Sequence, residues 1–177
     1  MASIIETLDL TAMQLNAGQG NRQDLEVEIG DLTLSGNGYQ VTPEPLNVIL
    51  DISRTIGDGY ALRLRFDASL IGACMRCLEP ARKDFQIDVC EVFQPAMDGS
   101  DDDFESDYLS SDGLLRLRAW ASDALVLALP AAILCRKGCA GLCPVCGENL
   151  NQTEPGHQHE QGPDPRWSKL SELKFDQ

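Results

Sequence analysis

The distribution of cysteine and histidine constrains this chain more than any other feature. It holds seven cysteines and two histidines, and most of them fall in the last third of the sequence. An odd number of cysteines at short spacings is typical of metal binding, not of disulfide pairing. From Cys135 onward, Gly, Pro, Asn and other polar residues predominate, and such a segment buries little apolar surface. It needs another source of order, which a metal ion can supply.

The strongest metal-binding pattern is Cys143-x-x-Cys146 followed by Gly147. Two thiolates separated by two residues can bind one tetrahedral ion from a tight turn, and the glycine relieves crowding as the chain leaves that turn. The imidazoles of His157 and His159 project on the same side of an extended segment, so they can complete a Cys2His2 set. The alternative is that both histidines are exposed polar residues of a tail. We favour a zinc knuckle with these four ligands.

Two further cysteine pairs each offer half of a site. Cys74 and Cys77 are expected in a turn after a long strand, whereas Cys135 and Cys139 follow a predicted helix. If that helix packs back across the sheet, the pairs meet and a second zinc ion joins the tail to the sheet. A one-ion alternative stays open, because spacing does not report which pairs meet in space. Its ligands are Cys135, Cys139, Cys143 and Cys146.

Other roles for the cysteines are weaker. A Cys-x-x-Cys redox pair is expected at the start of a helix in a βαβ unit, but Cys74 and Cys77 are predicted among antiparallel strands. The histidines suit zinc better than an iron–sulfur cluster. Cys90 falls in a predicted strand and is interpreted as a small buried hydrophobic residue. A redox sensor based on Cys74 and Cys77 is retained as an alternative function.

Alternating apolar residues predict antiparallel strands. They occur from Leu46 to Ile52 and from Leu62 to Leu70, with a Gly-Asp-Gly turn in between. A third strand is predicted from Lys83 to Phe93, and another from Leu25 to Leu34. A helix from about Ala119 to Leu129 should pack on the sheet. We therefore expect an α+β fold: an antiparallel β-sheet meander with a packed helix and a C-terminal zinc-knuckle module.

The predicted helix ends before Pro130, which cannot continue it. Four of its residues recur at helical spacing and are expected to face the sheet. They are Trp120, Ala124, Leu127 and Ala128.

The chain divides into three predicted parts. Residues 1–24 are too ambiguous to assign, residues 25–134 form the sheet and helix, and residues 135–177 form the Cys/His-rich zinc-knuckle tail. An acidic stretch at about 98–112 contains no base and is interpreted as a solvated loop, since like charges repel and add nothing to a core. The alternative is a docking segment for a basic partner such as a ribosomal protein.

The formal net charge of −14 argues against nucleic-acid binding through the overall electrostatic field. Residues 54–83 are the only locally basic stretch, and the plain interpretation is the solvent face of a sheet. If RNA is contacted directly, we expect the contact here. The candidate residues are Arg63, Arg65, Arg76, Arg82 and Lys83.

No stretch approaches the ~20 apolar residues needed to span a bilayer, and the first six residues lack the basic start of a signal peptide. We expect a cytoplasmic protein with no membrane partner.

The sequence also lacks a Ser/His/Asp pattern in a usable context and a phosphate-binding glycine loop. The proposed ligand sets supply four groups each and leave no position for a catalytic water. We therefore expect no enzymatic activity and no small-molecule substrate; a zinc-dependent RNA-processing enzyme is the alternative.

Three stretches occur in a specific order: Cys74 to Glu79, Leu127 to Pro130, and Cys139 to Asn151. A fourth, Asp164-Pro165-Arg166-Trp167 with Leu170 and Leu173, follows them. In this combination the chain closely resembles the YceD family of large ribosomal RNA subunit accumulation proteins, over roughly residues 25–175.

The resemblance implies an accessory role in large-subunit ribosomal RNA accumulation and ribosome assembly. The implied partner is a large-subunit ribosomal precursor, through ribosomal protein, rRNA or both. Many relatives have a Cys-x-Cys pair where this chain has His157 and His159. Both residue types bind zinc, so the substitution favours ligation.

Overall fold

The computed structural model describes residues 4–95, 106–154 and 156–159. These residues form one antiparallel sheet, a short two-stranded pair and one α-helix, which confirms the expected α+β class. The elements are β1 (Leu8–Asp9), β2 (Gly20–Val27), β3 (Leu32–Leu34), β4 (Asn37–Thr42), β5 (Leu46–Arg54), β6 (Tyr60–Ala73), β7 (Pro80–Phe93), β8 (Leu114–Leu115) and α1 (Leu117–Leu127).

Strand β6 is the centre of the sheet. It pairs with β7 along its whole length, from Tyr60 opposite Phe93 to Ala73 opposite Pro80. On its other side it pairs first with β5 and then, near its end, with β4. The predicted meander is therefore present as β5, β6 and β7, and the long β6–β7 hairpin carries the first Cys-x-x-Cys turn at its tip.

The N-terminal part of the sheet differs from the prediction. The stretch from Leu25 to Leu34 is not one strand, because Gly30 adopts a left-handed φ of 78° and separates β2 from β3. Strand β2 begins earlier, at Gly20, and pairs with β5, while β3 pairs with β4 as a hairpin. Of the ambiguous residues 1–24, residues 20–24 thus belong to the sheet, while Leu8–Asp9 forms the separate pair with β8.

Helix α1 covers the apolar face of the sheet. It contributes Leu117, Trp120, Ala121, Ala124 and Leu125 to the buried core. The prediction that Leu127 and Ala128 also face the sheet was wrong: both are exposed, Leu127 to 83%, because the helix ends at Leu127, beyond its last buried residue, Leu125.

The opposite face of the sheet is polar and carries cross-strand ion pairs. Arg63 pairs with Asp88, and Asp51 accepts from both Arg22 and Arg65. Cys90 lies on this same face and is exposed, so its interpretation as a buried residue was wrong. The alternation of β7 explains this, since Phe85 and Ile87 take the core positions.

The predicted acidic loop at 98–112 lies in part outside the described residues, which resume at residue 106. From there the chain forms β8, which pairs with β1, and enters α1. In the part of the chain that the structure describes, no helix is both long and apolar enough to cross a bilayer.

Candidate metal centres

The first Cys-x-x-Cys turn is held in place by the end of the β6–β7 hairpin. The hydroxyl of Tyr39 on β4 donates to the carbonyl oxygen of Ala73 at 2.6 Å, next to Cys74. Gly72 allows this approach, because a Cβ at that residue would lie 2.4 Å from the Tyr39 ring. The backbone N–H of Cys74 then donates to the carbonyl of Glu79 at 2.8 Å and closes the turn.

The chain after α1 returns to this turn. The N–H of Met75 donates to the carbonyl of Ile133 at 2.9 Å, which brings the following residues alongside the turn. Further on, the N–H of Leu142 donates to the carbonyl of Arg76 at 3.1 Å. Gly141 makes this close approach with a left-handed φ of 84°, since a Cβ there would lie 3.2 Å from the Arg76 oxygen.

These contacts assemble a first cluster of four thiols. The Sγ atoms of Cys77 and Cys135 are 3.5 Å apart, and those of Cys74 and Cys139 are 3.8 Å apart. All four sulfurs lie within 4.8 Å of one another, and three of the four residues are buried. Their arrangement matches the predicted second set, Cys74, Cys77, Cys135 and Cys139.

A second cluster forms in the tail, at a more exposed place. The Nε2 atoms of His157 and His159 lie 3.4 and 3.3 Å from the Sγ of Cys146, and 2.9 Å from each other. Cys143, which is buried, completes a group whose ligand atoms all lie within 4.8 Å of one another. The structure thus groups the cysteines as 74/77/135/139 and 143/146, and not as the one-ion alternative requires.

His157 also has a partner on its other ring nitrogen. Its Nδ1 lies 3.3 Å from the Oε2 of Glu148. A carboxylate at Nδ1 holds the proton there and leaves Nε2 free to bind an ion, which is the usual arrangement behind a metal-binding imidazole. Glu148 was not singled out from the sequence.

In each cluster, one cysteine has a lowered pKa and a neighbouring cysteine has a raised pKa. Burial raises the pKa of Cys74, but hydrogen bonds from the backbone N–H groups of Arg76, Cys77 and Cys135 outweigh it and lower the pKa to about 6. For Cys143, N–H donation from Cys146 and Val145 lowers the pKa to about 6.

The pKa of Cys77, a neighbouring thiol of the first cluster, is shifted upwards. The N–H of Glu79 favours its thiolate, yet burial and the sulfurs of Cys139, Cys135 and Cys74 together raise the pKa of Cys77 to about 12. Several thiolates at such short range repel one another unless a cation lies between them. A divalent ion would remove that conflict.

The spacing fits a tetrahedral ion. Zinc–sulfur bonds of about 2.3 Å place the sulfurs of a tetrahedral site roughly 3.8 Å apart, close to the sulfur–sulfur distances of 3.8 and 3.5 Å in the first cluster. Thiolate and imidazole are the ligands that borderline-soft divalent ions prefer. Each cluster can therefore hold one such ion with four protein ligands.

The candidate RNA contacts do not form one free surface. Arg63, Arg65 and Arg82 are each paired with an aspartate: Asp88, Asp51 and Asp84 respectively. The guanidinium of Arg76 donates to the carbonyl of Cys139 at 3.0 Å, so this residue braces the first cluster. Within the described residues, Arg76 and Lys83 have no carboxylate at ion-pair distance.

Fold and clusters together define a β-sheet protein with two candidate metal centres at one end of its sheet. A family model described as "Large ribosomal RNA subunit accumulation protein YceD" matches residues 62–174. The chain therefore belongs to this family, and the resemblance seen in the sequence is confirmed. The match begins within β6, not near residue 25, so it excludes the first strands of the sheet.

Several curated proteins are similar to the chain. An uncharacterised protein of Mycobacterium tuberculosis is 38% identical over 141 residues, covering 77% of this chain and 67% of that protein. An uncharacterised protein of Mycobacterium leprae is 30% identical over 73% of the chain and 59% of its own length. A maize protein named chloroplastic large ribosomal RNA subunit accumulation protein YCED homolog 1 is 27% identical over 81% and 60%.

The chain thus spans about two thirds or less of the length of these relatives. No solved structure matches it significantly.

Proposed function

We propose that the chain is a non-enzymatic accessory factor for the accumulation of large-subunit ribosomal RNA, and that two structural zinc ions hold its tail in shape. Membership of the YceD family supports the ribosomal role. The two four-ligand clusters support the zinc ions. The site of action in this proposal is the cytoplasm.

The composition of the clusters favours zinc and a structural role. Structural zinc sites are tetrahedral with four Cys or His ligands, whereas catalytic sites keep one position open for water. Each cluster here supplies four ligand atoms within 4.8 Å of one another. A zinc-dependent RNA-processing enzyme would need a free position that neither set provides.

The partner of this proposal is a large-subunit precursor, and charge favours contact with its basic proteins. The chain carries a formal net charge of −14. Three of the five arginines and lysines proposed for RNA contact already pair with aspartates. Breaking such pairs would oppose phosphate binding, so Arg76 and Lys83 are the remaining candidates for a direct RNA contact.

Ion counting tests the metal part of the proposal. Mass spectrometry of the intact native protein should show two zinc ions per chain, and the double variant Cys143→Ser/Cys146→Ser should retain one. Two ions on that variant, or none on the unchanged protein, would contradict the assignment of the clusters.

Affinity capture tests the ribosomal part. The zinc-loaded chain should enrich large-subunit precursor components, and nuclease treatment before capture should leave bound proteins in place if proteins are the contact. Recovery of no large-subunit component even at low salt would overturn the role. For RNA, Lys83→Gln, which leaves the contact between Arg76 and Cys139 in place, should weaken binding to large-subunit rRNA and reduce its salt dependence by about one unit, whereas Arg63→Gln/Arg82→Gln should not.

A further inference from the structure

A residue that is no ligand joins the two clusters. Asn151 lies in the loop between Cys146 and His157, which an ion at the second cluster closes. Its side-chain nitrogen donates to the Sγ of Cys139, in the first cluster, at 3.4 Å. Its side-chain oxygen accepts from the backbone N–H of Ala140 at 2.9 Å. One side chain of the second loop therefore contacts a ligand of the first centre.

Asn149 extends this connection to the other half of the first cluster. Its side-chain oxygen accepts from the side chain of Asn151 at 2.7 Å and from the backbone of Asn151 at 3.0 Å. Its side-chain nitrogen lies 3.5 Å from the Oε1 of Glu79, whose carbonyl closes the Cys74 turn. The loop of the second centre thus touches both the Cys139 segment and the Cys74 turn.

We propose that the two centres bind their ions cooperatively, with Asn151 as the positioning residue that carries the coupling. This inference rests on the two-centre function proposed above. The loop from 147 to 156 is polar and contains no buried residue among those described, so packing alone does not order it. An ion held by Cys143, Cys146, His157 and His159 fixes both ends of the loop.

Fixing the loop lowers the entropy that Asn151 loses when it contacts Cys139. A hydrogen bond to the Cys139 thiolate is then already formed when the first centre takes up its ion. Contacts of this kind, made to a ligand and not to the ion, change metal affinity by roughly ten- to a hundredfold.

The coupling is reciprocal, as linkage requires. When the first centre is loaded, Cys139 is held in place and offers Asn151 its acceptor. The backbone bond from Leu150 to Gly141, at 2.9 Å, adds to the same attachment. Each loaded centre therefore raises the affinity of the other, and we expect a factor of roughly ten, within the range usual for coupled sites.

The test uses Co²⁺, because thiolate-to-cobalt charge transfer is stronger for four sulfurs than for two sulfurs and two nitrogens, so each centre has its own absorption. The affinity of the first centre is measured by chelator competition on the full chain. Four proteins are compared: the unchanged chain, His157→Ala/His159→Ala, Asn151→Ala, and the triple variant. Gln152→Ala is the matched control, an exposed residue of the same loop.

Loss of the second centre should weaken the first roughly tenfold, and Asn151→Ala should do the same on its own. In the triple variant the two losses should not add, while Gln152→Ala should leave the affinity unchanged.

Three results would count against the proposal in distinguishable ways. Binding of Co²⁺ at neither centre would overturn the metal function and the coupling together. Filling of both centres with an affinity of the first that ignores the second would overturn the coupling alone. An Asn151→Ala loss of equal size with and without the histidines would make Asn151 a local support of the first centre.

Discussion

Leu78 holds the position in its turn that Gly147 holds in the other Cys-x-x-Cys turn. The N–H of Leu78 donates back to the carbonyl of Cys74 at 3.0 Å, and that of Gly147 to the carbonyl of Cys143 at 2.9 Å. Both residues are left-handed, with φ of 64° and 77°. The two turns therefore share one backbone path, with glycine in one and leucine in the other.

This equivalence predicts opposite effects of exchanging the two residues. A left-handed conformation costs an L-residue roughly 1–2 kcal/mol, and the side chain of Leu78 is 61% exposed, so burial offsets little of that cost. Leu78→Gly should leave the free energy of unfolding unchanged or raise it by up to about 1 kcal/mol. Gly147→Leu should lower it by about 1–2 kcal/mol.

Urea unfolding of the metal-loaded proteins measures both changes. A large loss of stability in Leu78→Gly would show that its side chain packs more tightly than its exposure indicates.

Gly72 is predicted to be irreplaceable for a different reason. An added Cβ would lie 2.4 Å from the Tyr39 ring, whose hydroxyl anchors the strand end beside Cys74. Gly72→Ala should lower the free energy of unfolding by about 1–3 kcal/mol through overpacking, and should weaken the first metal centre. Gly38→Ala on the neighbouring strand is the control, because no atom lies within 4 Å of its added Cβ. Equal stabilities of the two variants would refute the steric argument.

Thiol alkylation should separate Cys90 from the six cluster cysteines. Cys90 is exposed and lies in neither cluster, so it should react rapidly whether or not metal is bound. The other six should be protected in the metal-loaded chain and should react after chelation, because a coordinated thiolate is a poor nucleophile. Mass spectrometry of the labelled peptides reports each site. Rapid labelling of Cys74 and Cys77 in the loaded protein would support the redox-sensor alternative instead.

Asp51 should contribute to the sensitivity of the fold to acid. The hydrogen bond from Arg22 holds the pKa of Asp51 below its usual value against the effect of burial, with Arg65 adding to the lowering. A carboxyl with a depressed folded pKa stabilises the fold above its unfolded pKa, and this contribution is lost as the pH falls through the folded pKa.

Asp51→Asn should therefore lower stability near neutral pH and make the free energy of unfolding fall less steeply below pH of about 4. Asp67→Asn, at an exposed aspartate that forms no ion pair among the described residues, is the control. Denaturant titrations across this pH range give the comparison. The same decrease in the free energy of unfolding with falling pH for wild type and Asp51→Asn would contradict the prediction.

Strand periodicity carried most of the fold prediction. Alternation from Leu46 to Ile52 and from Leu62 to Leu70 identified β5 and β6, because one face of each strand must be buried. The same rule applied to β7 puts Cys90 on the face opposite Phe85, whereas the interpretation of Cys90 as buried follows from its residue type alone. The exposed cysteine could therefore have been predicted.

Other features could not be read from local pattern. The split between β2 and β3 depends on the left-handed conformation of Gly30, and many glycines in loops have no such effect. The grouping of Cys77 with Cys135 depends on the backbone contact between Met75 and Ile133, residues 58 positions apart in the sequence. Spacing identified the Cys-x-x-Cys pairs but could not show which pairs meet in space, and so could not choose between one ion and two.

The register of the β6–β7 hairpin separates two regions of the molecule. Its fourteen paired residues per strand, at about 3.3 Å each, place the Cys74 turn and Phe93 roughly 45 Å apart. The first cluster therefore lies at one end of the hairpin, whereas Tyr60 and Phe93 lie at the other. A partner that contacts both ends at once must extend along the whole length of the hairpin, whereas a smaller partner can contact only one end.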